Sequence, residues 1–184
     1  MSKYDEIKEA AVAGERLFRE RHQRCLQYGT LLKHNFATYC GVPQGQLRML
    51  RWNGWQTNPV FEDAEPGYQF EAAGAMKFDE DSQSWRFGLE IKLGVLGWVF
   101  CGFGVADSNG KALVEVARTK PRLVDFSDQN DREQLYDYIV DVIKQCYRDG
   151  TPRAAIGFSL PTVETSGPET APETASTPAL PATA

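Results

Sequence analysis

The sequence predicts an α+β fold: one long N-terminal helix (or two), an antiparallel meander of five or six strands, a C-terminal amphipathic helix and a disordered tail. Three observations carry this expectation. Residues 3–39 place apolar side chains in steps of three and four. Residues 46–126 break into short runs that alternate at period two between turn signals. Residues 130–149 carry a single apolar stripe that ends in Gly150 and Pro152.

The first segment sets Tyr4, Ile7, Ala11, Gly14, Phe18, Arg21, Cys25, Tyr28, Leu32, Asn35 and Tyr39 on one heptad-like seam, interrupted by Arg21 and Asn35. As one rod it would measure about 55 Å. That is long for a chain of 184 residues. Gly29 and the polar run 19–24 are the places where it would divide into two helices. Gly41 followed by Pro43 ends it, a left-handed cap and then a residue that cannot continue a helix.

Strands are expected at Leu47–Trp52, Tyr68–Phe78, Trp85–Leu93, Gly97–Ala106 and Lys111–Ala117, with a short edge strand at Arg122–Phe126. Asp107-Ser-Asn-Gly110 is a hairpin signal between the fourth and fifth. Short links from Phe78 onward imply antiparallel neighbours. Neither face of the fourth strand carries charge, which places it centrally, and Gly102 and Gly104 leave room on one face for close approach. Asn130 and Glu133 are spaced for a capping box ahead of Leu135, Tyr138, Ile139, Val142, Cys146 and Tyr147. Residues 154–160 are apolar enough for one more strand. Residues 1–160 therefore read as one domain. From Pro161 the chain is Pro, Thr, Ala, Ser and Glu, which cannot bury a core, so 161–184 read as a disordered tail.

Net charge is −5, and Glu164, Glu169 and Glu173 supply three of those charges, leaving the body at −2. That is not the electrostatics of a bulk nucleic-acid binder. The N-terminus lacks the apolar core of a secretory signal, and the longest mostly apolar run is Gly-punctuated and too short to span a bilayer. Four cysteines without CxxC spacing read as free thiols in a cytoplasmic protein, with no membrane contact.

Asp79…Glu90-Ile-Lys92 is the most specific catalytic pattern. It resembles the D…(D/E)xK signature of the PD-(D/E)xK nucleases. The resemblance implies that Asp79 (or Asp81) and Glu90 bind Mg²⁺ while Lys92 stabilises charge or positions the attacking water. The competing reading is a hairpin whose solvated face carries paired charges. His22 and Cys25 lie three apart, the spacing of a Cys–His pair, but Cys25 falls on the apolar seam.

Two clusters have nucleic-acid chemistry: Arg16, Arg19, Arg21 and Arg24, and then Arg48, Arg51, Trp52 and Trp55. The loop 53–67 adds Trp55, Val60 and Phe61, aromatic and aliphatic groups suited to a protein contact. The expectation is a non-enzymatic protein-binding, adaptor or accessory protein that contacts a partner or itself through the N-terminal helix or the loop 52–61. Arg48, Arg51, Trp52, Trp55 and Phe61 are the candidate binding residues, and no metal or cofactor is expected. A metal-dependent nuclease and a nucleic-acid-binding accessory protein are the alternatives.

Overall fold

A computed structural model describes residues 2–43, 45–55, 59–62, 71–94, 98–148 and 156–159. Residues 161–184, expected as a tail, lie outside them. In chain order the elements are α1 (Lys3–Tyr39), β1 (Leu47–Trp55), β2 (Pro59–Glu62), α2 (Ala72–Ala75), β3 (Lys77–Asp79), β4 (Ser84–Lys92), β5 (Trp98–Ser108), β6 (Lys111–Val116), β7 (Arg122–Val124), α3 (Gln129–Arg148) and β8 (Ile156–Ser159). The fold is α+β, with an antiparallel sheet in the order β2-β1-β4-β5-β6-β7.

Strand β4 shares one edge between β3 at Ser84–Arg86 and β1 at Phe87–Ile91. Strand β5 shares its far edge between β6 at Phe103–Ser108 and β8 at Trp98–Cys101. The central pair β4–β5 is therefore hydrogen-bonded on both sides, as the uncharged β5 sequence predicts. Ser108 pairs with Lys111 across Asn109 and Gly110, whose φ angles of 53° and 83° make the turn that Asn-Gly favours.

The 37 residues of α1 form one helix. Ser2 caps it by accepting from the Asp5 amide at 3.2 Å, while Asp5 accepts from the Ser2 amide at 3.0 Å. At the other end Gly41 takes φ +62°, and the Val42 amide reaches back to the Ala37 carbonyl at 2.9 Å. Gly29 does not break the helix. A Cβ there would sit 2.5 Å from Met76 Sδ, so the glycine is the slot into which α2 delivers Met76.

One sheet face carries the core. Phe87, Leu89, Cys101, Phe103, Val105, Val114 and Val116 pack there against Cys25, Tyr28, Leu32 and Phe36 of α1 and Leu135, Tyr136, Ile139 and Val142 of α3. The two helices meet where the Phe36 and Tyr39 rings approach Tyr136, and Tyr39 donates to Asp137 at 2.6 Å.

Five details depart from the sequence expectation. The described part of the expected loop 53–67 is not a loop: β1 runs on to Trp55 and pairs antiparallel with β2, Trp52 opposite Phe61 and Trp55 opposite Pro59. Within Tyr68–Phe78 the described residues form a helical turn, Ala72–Ala75, before a strand of only three residues; Ala-Ala-Gly-Ala has no β-branched side chain to favour extension. The buried seam of α1 ends on Phe36 instead of Asn35, because a helix of 3.6 residues per turn drifts from a strict heptad. The cap of α3 is Asp128, which accepts from the Asn130 and Asp131 amides at 2.8 and 3.3 Å, and not an Asn130–Glu133 box. The room beside Gly104 is taken by the Arg86 guanidinium and not by a helix: a Cβ there would lie 2.5 Å from Arg86 Nη1.

Candidate functional site

The sheet's second face holds the catalytic-looking residues, and its register separates them. Asp79 pairs with Ser84, whereas Glu90 lies six residues further along β4, opposite Arg48. Six residues of strand span about 20 Å. Each carboxylate is also engaged. Asp79 accepts from Ser82 Oγ at 2.5 Å and lies 3.4 Å from Arg86 Nε, and Glu90 is ion-paired with Arg48 Nε. Arg86 reaches a second carboxylate, Glu115, at 2.8 Å. Asp81 is exposed in the turn, and Lys92 is exposed at the end of β4. Asp79 and Glu90 are therefore set apart along β4, each beside an arginine, Arg86 and Arg48 respectively.

The cysteine–histidine expectation is also resolved by packing. His22 lies flat on the Trp85 indole, with ring centres 3.8 Å apart, and burial lowers its pKa. Burial, reinforced by Asp107, pushes the Cys25 thiol up to about 11, so it stays protonated at neutral pH and is not a ready nucleophile.

Much of the first basic cluster is already paired with acids. Arg24 is bidentate to Asp107, Arg19 pairs with Glu15 and Arg16 with Glu20. Arg48 lies on the sheet face opposite α1, Arg51 shares the register of Phe87 on the helix-covered face, and both are half-buried with Trp52. The side chains of Trp55 and Phe61 lie outside the described residues.

Asp107 is a residue whose role the sequence does not announce beyond its place at a turn. Its carboxylate is 4 % exposed and receives Arg24 Nε at 2.9 Å, Arg24 Nη2 at 3.0 Å and the Tyr28 hydroxyl at 3.2 Å. This clamp ties the middle of α1 to the end of β5. Burial raises the Asp107 pKa, but its bonds with Arg24 and Tyr28 prevail and leave it below the ordinary 3.8. A depressed folded-state pKa contributes stability that is complete above the unfolded value and is lost as pH falls through the folded one. Asp107→Asn is therefore expected to lower stability at neutral pH and to flatten the acid limb below about pH 4. Urea midpoints measured against pH for both chains check this; parallel acid limbs would contradict it.

N-terminal to this clamp, α1 leaves the body. Phe18 meets Phe78 edge-on and Trp85 at a tilt, and every described residue from 2 to 21 is exposed. Tyr4 and Ile7 are 73 % and 69 % exposed, and Phe18 remains 46 % exposed. They continue the stripe that Cys25, Tyr28 and Leu32 bury further along, so the free half presents its apolar side in line with the core. A groove of about 820 Å³ flanks the docked half, lined by residues that include Leu26, Leu31, His34, Met49 and Ala73. Leu26 and Leu31 fall off the heptad seam, the only sequence signal for it.

No family model, curated protein or solved structure matches this chain. Among the described residues, no helix is long and apolar enough to cross a membrane.

Proposed function

We propose that the chain is a non-enzymatic protein-binding or accessory component of a larger assembly, and that the free half of α1 is its contact. One observation carries this reading: Tyr4, Ile7 and Phe18 share one face of a capped helix that overhangs the sheet and is exposed to solvent. A surface helix ordinarily buries such a stripe. Helix-in-groove and helix-on-helix docking both use anchors at this spacing.

The test is quantitative affinity capture from the native host with the wild-type chain, a Tyr4→Asp/Ile7→Asp variant and a Leu123→Asp control. Leu123 is 56 % exposed but lies on the β7 edge strand, away from the stripe. Specific partners, or the chain itself, should be lost at least tenfold with the stripe variant and kept with the control. Equal recovery with all three would refute the reading.

A further inference from the structure

Resting on that reading, we infer that the occupant of the free stripe is a second copy of this chain, the two overhanging helix halves packing antiparallel about a two-fold axis. Charge sets the direction. Residues 3–9 hold Asp5, Glu6 and Glu9 against Lys3 and Lys8, a net −1; residues 15–24 hold four arginines against Glu15 and Glu20, a net +2, or +1 once Arg24 is set against Asp107. Antiparallel packing lays each acidic start on the other copy's basic end, whereas parallel packing sets like on like.

The heptad frame makes this specific. With Tyr4, Ala11 and Phe18 at a, and Ile7, Gly14 and Arg21 at d, an antiparallel register faces each a with a d of the second copy. Ile7 then meets Phe18, Ala11 meets Gly14, and Tyr4 meets Arg21, whose guanidinium suits the face of a phenol ring. Small residues at the centre let the backbones approach, and Leu17 covers Ala10 on the flank. On the other flank Lys8 of each copy faces Glu15 of the other, twice by symmetry. Lys3 falls near Arg24, whose charge Asp107 already neutralises. A parallel pair would instead oppose Arg21 with Arg21 and Lys3 with Lys8.

Each partner's Ile7 would also land on the Phe18 edge that Phe78 and Trp85 leave uncovered, extending the core across the axis. Glu15 is free to turn to Lys8, since its 2.5 Å contact with Arg19 joins two exposed side chains and holds little energy. A seam from residue 4 to 21 is about 26 Å long. It buries on the order of 1,000 Å² in all, at the small end of specific interfaces, so a micromolar, salt-sensitive dimer is expected.

The experiment is sedimentation equilibrium of the full chain from about 1 to 200 µM. The wild type should dimerise. Lys8→Glu and Glu15→Lys should each weaken the dimer by roughly tenfold. The two variants mixed should associate with one another, and the double variant should recover, because both restore opposite charges across the axis. Both positions are exposed, so folding, followed by helical circular dichroism, should not change. A monomer at every concentration, or single variants that dimerise as well as wild type, would overturn the inference. A monomeric chain that still loses a captured partner with Tyr4→Asp/Ile7→Asp would overturn self-pairing alone, while equal capture by all chains would overturn the interaction reading itself.

Discussion

Arg86→Ala is expected to destabilise the protein by about 3–5 kcal/mol, the usual consequence of removing one partner from a buried ion pair. Arg86 is 5 % exposed and its guanidinium lies between Asp79 and Glu115 on the sheet's second face. Truncation strands two carboxylates that cannot both regain water, and it leaves a void above Gly104, where the guanidinium now rests. Arg86→Lys should lose part of this, because a point ammonium cannot span both acids as a planar fork does. Urea unfolding midpoints measure the series. A loss below about 1 kcal/mol for Arg86→Ala would show that the network is solvated and unimportant to the fold.

Phe36→Ala is expected to cost about 3–5 kcal/mol, and Ile7→Ala less than about 0.5 kcal/mol, although both are large apolar residues of one helix. Phe36 is 1 % exposed and packs on Tyr136, so its removal opens a cavity where α1 meets α3. Ile7 is 69 % exposed and gives up nothing in the isolated chain. Thermal or urea unfolding at low protein concentration, where any dimer is dissociated, checks the contrast. Equal costs would mean that the first half of α1 is docked, which would remove the basis of the interaction reading. At high concentration the Ile7 variant should lose the extra stability that association supplies, and that difference is the thermodynamic signature of a functional stripe.

Much of the architecture was legible because it is locally encoded. The apolar seam from Tyr4 marks α1, Gly41 and Pro43 stop it, and Asn109-Gly110 turns β5 into β6. The alternation of Trp85, Phe87, Leu89 and Ile91 sets β4. These signals rest on backbone sterics and near-neighbour hydrogen bonds, which act over a few residues. What failed was also local but ambiguous. Residues 72–75 are small and show no period, so a four-residue helix held by Met76 against Gly29 could not be told from a strand.

The sequence by itself determined the α+β class, the C-terminal helix, the antiparallel meander and the unusual length of an apolar seam ahead of the sheet, while leaving open whether that seam is one helix or two. Only the tertiary structure decided that the seam is one helix and which part of it is buried. Arg24 and Tyr28 meet Asp107 across 83 and 79 residues of chain, and that clamp, with Trp85 beneath His22, marks where α1 leaves the body. The same register that buries Phe87 and Phe103 sets Asp79 beside Arg86 and Glu90 beside Arg48, turning a catalytic-looking pattern into salt bridges. The physical reason is common to both. Propensity and periodicity say which face of an element is apolar, whereas which partner covers it, and which charges meet, depends on contacts between residues far apart in the chain.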